Sequence, residues 1–196
     1  MKENKLPVNL DKWKEENFDK QLDKYICDLA AGDVSALRDL YDQTSPSVYG
    51  FAMSILKNPQ DCEDILHDCF IRIYQSAASY TSQGKPMAWI FTITRNLCMQ
   101  KLREQSRVSD IAQEDWEHYL GENDNISTED NIILNECLTT LSEEDRQIVV
   151  MHAVSGMKHK DIAEFMNMPL STVLSKYNRS LKKLKDILTK GGGHEE

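Results

Sequence analysis

The segment Asp161-Ile162-Ala163-Glu164-Phe165-Met166-Asn167-Met168-Pro169-Leu170-Ser171-Thr172-Val173 constrains the fold of this chain more than any other stretch. Two short helices that cross at a tight turn need a small residue where they touch, and Ala163 supplies it. The reversal needs left-handed backbone, which Asn167 tolerates better than most residues with a Cβ. Val173 then packs the second helix on the first. The spacing predicts a helix over 158–166, a break over 167–170, and a last helix from about 171 to 188. On that helix Leu170, Val173, Tyr177, Leu181, Leu184 and Leu188 are expected to form a buried stripe. Thr172, Ser175, Lys176, Arg179 and Lys183 recur at three or four residues on another face, which suits a major groove. The plain alternative is a helical hairpin with a solvated basic face.

Helix signals recur upstream and strand signals are nearly absent, so the fold class expected is all-α: two small helical domains joined by an acidic flexible linker. Asn58-Pro59-Gln60-Asp61 offers a cap, a first-turn proline and an early acid, opening a helix expected to reach about Tyr80. Ile65, Leu66, Cys69, Phe70 and Ile73 give it one apolar stripe. Pro86 opens a second helix to about Gln105 through Trp89, Phe91, Ile93, Leu97 and Leu102. Trp89 and Phe91 have apolar neighbours on both sides and read as core. Gly32 and Ser45-Pro46 are expected to separate shorter helices, and Gly156 to end one that starts from a cap at Ser142-Glu143-Glu144-Asp145. The domains expected are 20–107, an acidic linker over 108–130, and 131–190. The glycine-rich tail after Lys190 reads as mobile.

Charge sharpens this division. Net charge is −9, which by itself argues against nucleic acid, whose phosphates need lysine and arginine. Yet Val108 to Asp145 holds twelve Asp and Glu and no Lys or Arg, and without it the chain would carry +3. Pro86 to Arg107 has four basic residues against one acid, and Lys158 to Lys190 eight against three. Two basic segments thus flank one acidic segment.

No apolar run approaches membrane-span length, and the charged first twenty residues lack a signal-peptide core, so a cytoplasmic location without membrane insertion is expected. Cys27, Cys62, Cys69, Cys98 and Cys137 form no C-x-x-C pair and read as reduced, mostly buried thiols. No phosphate-binding glycine loop, nucleophile elbow or metal-spaced His and carboxylate motif occurs, so no catalytic residue, metal or cofactor is expected. His152 and His159, seven apart, read as surface or satisfied core.

With these motifs in order, the chain resembles the extracytoplasmic-function group of sigma-70-type sigma factors from about Gln21 to Leu188. Leu40-Tyr41-Asp42 with Pro46, Tyr49-Gly50 and Ala52 resembles the start of the family's region two. Asp61-Cys62-Glu63-Asp64-Ile65-Leu66-His67-Asp68-Cys69-Phe70 is similar to its polymerase-binding helix, and Ala88 through Leu97 to its promoter-reading helix. Leu141 through Leu184 resembles region four, with Gly156, Ile162-Ala163, Thr172-Val173 and Lys182-Lys183-Leu184 in register.

The resemblance implies a sigma factor that binds core RNA polymerase and promoter DNA, directs initiation and promoter opening, and is controlled by an anti-sigma factor. Asp61, Glu63, Asp64, His67 and Asp68 would bind the clamp helices of the largest polymerase subunit, with His67 standing where glutamine is usual. Tyr80, Lys85, Arg95, Asn96, Gln100, Arg103 and Arg107 would read the minus-ten element as a single strand with an extruded base. Ser171, Thr172, Ser175, Lys176, Arg179, Lys182 and Lys183 would contact the minus-thirty-five element. Leu174 and Leu181 stand where lysine and arginine are common, implying fewer phosphate contacts. The acidic linker would enter the polymerase's positively charged channel, its carboxylates mimicking nucleic acid; as a plain alternative it is a solvated spacer holding the domains apart. Two rival readings stay open: a helix-turn-helix regulator that dimerises on a two-fold operator, and a sigma-like partner that binds polymerase without reading promoters.

Overall fold

The computed structural model describes residues 10–109 and 140–191. Seven α-helices are found among them, and no strand: α1 (Leu10–Ala30), α2 (Ser35–Leu56), α3 (Pro59–Ser76), α4 (Pro86–Ser109), α5 (Glu143–Ala153), α6 (His159–Phe165) and α7 (Leu170–Gly191). The all-helical expectation holds. The linker, the apolar run Ile132 to Leu138, Cys137 and the C-terminal tail lie outside the described residues.

Local chemistry sets most boundaries. The Asn58 side chain accepts the Asp61 amide at 3.1 Å, and Pro59 takes the first helical position, where a missing N–H costs nothing. Cys62, Ile65, Cys69, Phe70 and Ile73 are the buried stripe of α3. The helix stops at Ser76, short of Tyr80, because Ala77–Ser79 tighten into a 3-10 turn that buries Ala77. Ser142 caps α5 by accepting the Asp145 amide at 3.2 Å.

Pro46 does not divide a helix: α2 runs through it. A proline frees the carbonyl four residues back and usually breaks the helix. Here Pro46 and Asp42 both face solvent, where water can satisfy that carbonyl, while Leu40, Thr44, Ser47 and Val48 bury the opposite side.

The helix-turn-helix forms as its residues require. Asn167 has φ +52°, and the Met168 amide donates to the Ala163 carbonyl at 2.9 Å across the turn. Ala163 and Val173 are buried. The last helix begins at Leu170, with the Pro169 carbonyl accepting from the Thr172 amide at 2.9 Å and the Val173 amide at 3.2 Å. The expected stripe on this helix needs correction. Val173 and Ser180 are buried and Tyr177 and Leu184 half-buried, whereas Leu170, Leu181 and Leu188 are 43%, 41% and 51% exposed. Spacings of four, three and four keep residues 173, 177, 180 and 184 on the side facing α5 and α6. Leu181 and Leu188 fall about 100° beyond Ser180 and its face.

Sequence left the arrangement of the two halves open, and the spacer reading would hold them apart. In the structure they share a core. α2 packs on α1, α3 and α4 on one side and on α5 on the other. At Gly50 the approach is close enough that an added Cβ would lie 3.4 Å from Val150 Cγ1. Phe51, fully buried, stacks on Phe91 at 4.6 Å and meets Phe165 of α6 edge-on at 5.9 Å between ring centroids. Arg146 of α5, also buried, donates to the Ser54 carbonyl at 3.0 Å and the Leu141 carbonyl at 3.1 Å.

His152 and His159, both half-buried, come together in the C-terminal half, their ring centroids 3.9 Å apart, each meeting Tyr177 edge-on at 4.8 Å. His152 Nδ1 pairs with the Met157 carbonyl at 2.9 Å, while His159 Nε2 is buried without a partner. Burial, and next the neighbouring His152, push the His159 pKa below its ordinary 6.5. A depressed histidine pKa means that the unfolded chain takes up the proton first. Stability should therefore be fully present above 6.5 and decline as pH falls below it. Melting curves at about pH 7.5 and about pH 5.5 should show the lower melting temperature in acid, and His159→Gln should flatten the difference. An unchanged slope in that variant would assign the acid sensitivity elsewhere.

Candidate nucleic-acid interface

The loop from Tyr80 to Lys85 joins the 3-10 turn to α4, with Gly84 at φ +69° where a side chain would be strained. Asp23 of α1 ties the loop down, accepting from the Tyr80 hydroxyl and from the Ser82 hydroxyl at 2.8 Å. Burial, and then the Asp23 carboxylate, raise the Tyr80 phenol well above its usual range, so it stays a donor. Trp89 lies 4.7 Å from the Tyr80 ring. Beside this pair opens a cavity of about 540 Å³, walled by Tyr80, Trp89, Arg95 and Asn96, with Glu164 and Phe165 across from them. Phe91 is core, as expected. Trp89 is half-buried: it packs against the core and also walls the cavity.

Along α4, Asn96, Gln100 and Arg103 emerge on one exposed face, as the helical spacing requires. The Gln100 amide donates to Glu104 at 3.0 Å. Arg107 belongs to α4, but its side chain lies outside the described part. Lys85 and Arg95 are already engaged. Lys85 Nζ sits 2.6 Å from Glu164 and 3.2 Å from Asp161, and Glu164 first, then Asp161, raise its pKa. Arg95 lies over the Phe165 ring at 5.5 Å.

On α7, Ser171, Ser175, Arg179, Lys182 and Lys183 are exposed and Thr172 half-exposed. Lys176 departs from that group. Its side chain is 19% exposed and bridges back to Glu144 at 3.0 Å and Asp145 at 3.1 Å, so it fastens α7 to the start of α5. Glu144 first, then Asp145, raise its pKa. Lys183 donates to the Thr140 carbonyl.

On α3, Glu63, Asp64, His67 and Asp68 are exposed, and His67 Nδ1 lies 3.1 Å from the Glu63 carbonyl. Asp61 is set apart, its side chain 16% exposed between Lys101 at 3.0 Å and the Gln105 amide at 2.7 Å. Lys101 also reaches Asp64 at 3.1 Å. The acidic face therefore narrows to Glu63, Asp64, His67 and Asp68, with Asp61 joining α3 to α4. Asp23, Asp161, Glu164 and Phe165 were not expected at these surfaces. Each lies many residues from its partner, and no local pattern marks such a pairing.

Residues 40–108 match the family model for Sigma-70 region 2, and residues 132–184 that for Sigma-70, region 4. The chain belongs to the sigma-70 family of sigma factors. It is 25% identical over 174 residues to the ECF RNA polymerase sigma factor SigK of Mycobacterium sp. (strain KMS), covering 85% of this chain and 90% of that one. It is 29% identical over 170 residues to ECF RNA polymerase sigma factor SigE of Mycolicibacterium smegmatis, covering 82% and 66%. In fold it is similar to the sigma factor RpoE of Bartonella quintana, solved with the anti-sigma factor NepR (TM-score 0.61, 22% identity, 80% of this chain and 98% of that one). It is also similar to CnrH, solved with the cytosolic domain of CnrY (TM-score 0.62, 17% identity, 87% and 98%). The sigma factor thus carries its region 2 match on α2, α3 and α4, and the region 4 match ends on α7. Among the described residues no helix is long and apolar enough to cross a membrane.

Proposed function

We propose that this sigma factor works in the cytoplasm, docks on core RNA polymerase through Glu63, Asp64, His67 and Asp68, and opens promoters at the α4 surface. It supplies recognition and strand capture while the polymerase supplies the chemistry, and an anti-sigma factor is its controlling partner. The observation that carries this reading is the cavity beside Tyr80 and Trp89, bordered by Arg95 and Asn96 on a face continued by Gln100 and Arg103. An extruded base needs a walled pocket with edge-directed donors and acceptors, and the strand leading to it needs cations and stacking surfaces. Both needs meet at this corner. The α7 face, with Thr172, Ser175 and Arg179 toward bases and Lys182 and Lys183 toward phosphates, anchors the upstream duplex.

Transcription from a library of bacterial promoters with core polymerase tests the reading. Defined start sites should appear only when both proteins are present. Asn96→Ala should lower transcript yield from duplex templates about tenfold, the scale of one lost base contact. Yield from templates carrying a pre-melted minus-ten bubble should fall much less. Tight, sequence-specific binding to duplex DNA without polymerase would instead establish the self-sufficient regulator, and polymerase binding without initiation the sigma-like partner.

A further inference from the structure

The loop from Tyr80 to Lys85 has to hold one shape if it is to choose among bases, yet it carries Gly84 at φ +69° and no helix or strand of its own. Its first half is held from α1. Both oxygens of Asp23 face the loop: Oδ1 accepts from the Tyr80 hydroxyl, and Oδ2 from the Ser82 hydroxyl at 2.8 Å. Hydroxyls that donate to a carboxylate make bonds roughly twice as strong as those between neutral groups. Asp23 is half-buried and stands 57 and 59 positions before its two partners, ahead of residues 40–108 that match region 2.

This grip divides the work of the site. The Tyr80 hydroxyl donates to Asp23, and burial, followed by Asp23 itself, keeps it protonated. What Tyr80 has left for a base is its ring, 4.7 Å from that of Trp89. Stacking accepts every base, because every base has a π-face. Choice among bases needs donors and acceptors at fixed places along the base edge, and Gln83 of the loop and Asn96 of α4 wall the same cavity. Asn96 rides on a helix, whereas Gln83, one residue beyond Ser82, is placed only as well as the loop is. A carboxylate is also a repulsive neighbour for a phosphate strand. Its presence beside the cavity is accounted for by the loop it fixes.

We propose that Asp23 is the positioning residue of the base-reading loop: by holding Tyr80 and Ser82 it fixes where Gln83 meets the extruded base, and so sets how sharply bases are discriminated there. This rests on the assignment of the α4 surface to single-stranded DNA. Asp23 touches no DNA; it acts through the two hydroxyls. Without it the Tyr80 ring still stacks, so a strand is still captured. The loop then samples several placements of Gln83, and a wrong base is held nearly as well as the right one.

The test is transcription by the full chain with core polymerase, from a promoter found in the library and carried on templates with a pre-melted minus-ten region. Each unpaired non-template base is varied through all four. At the position that discriminates most, wild type should favour its best base over its worst by about tenfold or more. Asp23→Ala should cut that ratio about three- to tenfold, while yield on the best base falls less than about threefold. Ser82→Ala, at an exposed position, should cut it about twofold and keeps the test valid if Asp23→Ala folds poorly. Asp23→Asn, of the same shape and with one acceptor oxygen left, should recover part of the ratio. Tyr80→Phe/Ser82→Ala should lose as much as Asp23→Ala, and adding Asp23→Ala to that pair should lose no more. A uniform fall in yield for all four bases, with the ratio intact, makes Asp23 purely structural and overturns the proposal. A further loss on top of the Tyr80→Phe/Ser82→Ala pair overturns it too, because Asp23 would then meet the base itself. Discrimination by the wild type leaves the α4 assignment standing in both cases. No base preference at any melted position in the wild type overturns that assignment and the role of Asp23 with it.

Discussion

Phe51→Ala is expected to destabilise the protein by about 3–5 kcal/mol, the range for emptying a fully buried phenylalanine site. The ring has no exposed surface and touches aromatic rings on both sides, Phe91 of α4 and Phe165 of α6. Its loss leaves a cavity where the two halves meet, and neither neighbour can fill it without leaving its own packing. Denaturant unfolding followed by circular dichroism should show the midpoint falling at nearly constant slope. Phe51→Leu, which keeps most of the volume, should recover more than half of the loss. A cost under about 1 kcal/mol would mean that the halves relax around the hole and that the junction is softer than described.

Reversing charge on the exposed part of α3 should have the largest effect on polymerase. Asp64→Lys/Asp68→Lys is expected to weaken binding to core polymerase by tenfold or more, since like charges brought together in an interface cost several kcal/mol and each ~1.4 kcal/mol is a factor of ten. The side chain of Asp64 is 61% exposed and Asp68 is exposed, so the fold should survive. Asp61 is the instructive contrast. Held by Lys101 and Gln105, it should affect stability when changed to alanine, with a smaller effect on polymerase affinity. Competition binding against a labelled housekeeping sigma factor, with melting temperatures measured in parallel, separates the two effects. Equal losses from the Asp61 variant and from the double variant would show that α3 meets polymerase along a different line.

Where the sequence could be read, one residue's chemistry dictated one local outcome. Asn58 with Pro59 starts a helix wherever an apolar stripe follows, and Asn167 reverses the chain beside Ala163 with little help from afar. The exposed face of α4 followed from spacing alone. Reading failed where the answer depended on which side a neighbour covers. Pro46 looked like a boundary because proline breaks isolated helices, yet buried residues around it hold α2 continuous. Leu181 and Leu188 looked buried because they are leucines, but α5 and α6 cover the line through Ser180. Lys176, expected at DNA, also pairs with Glu144 and Asp145 in the structure, and nothing in its local sequence announces that pairing. The pairing of Lys85 with Glu164 spans 79 positions, and nothing in either local sequence announces it.

Three of the four cysteines on the first four helices are shut away from solvent, and Cys27 alone among those four is exposed. Cys62, Cys69 and Cys98 are buried, and burial first of all pushes their thiols to about 12, about 11 and about 12 from an ordinary 9.0. At neutral pH these thiols stay protonated, and the thiolate that reacts with peroxide or electrophiles is scarce. Helices α3 and α4 are built around sulfur that is chemically quiet. Oxidants would meet Cys27 of α1, which is exposed, and pass this core by.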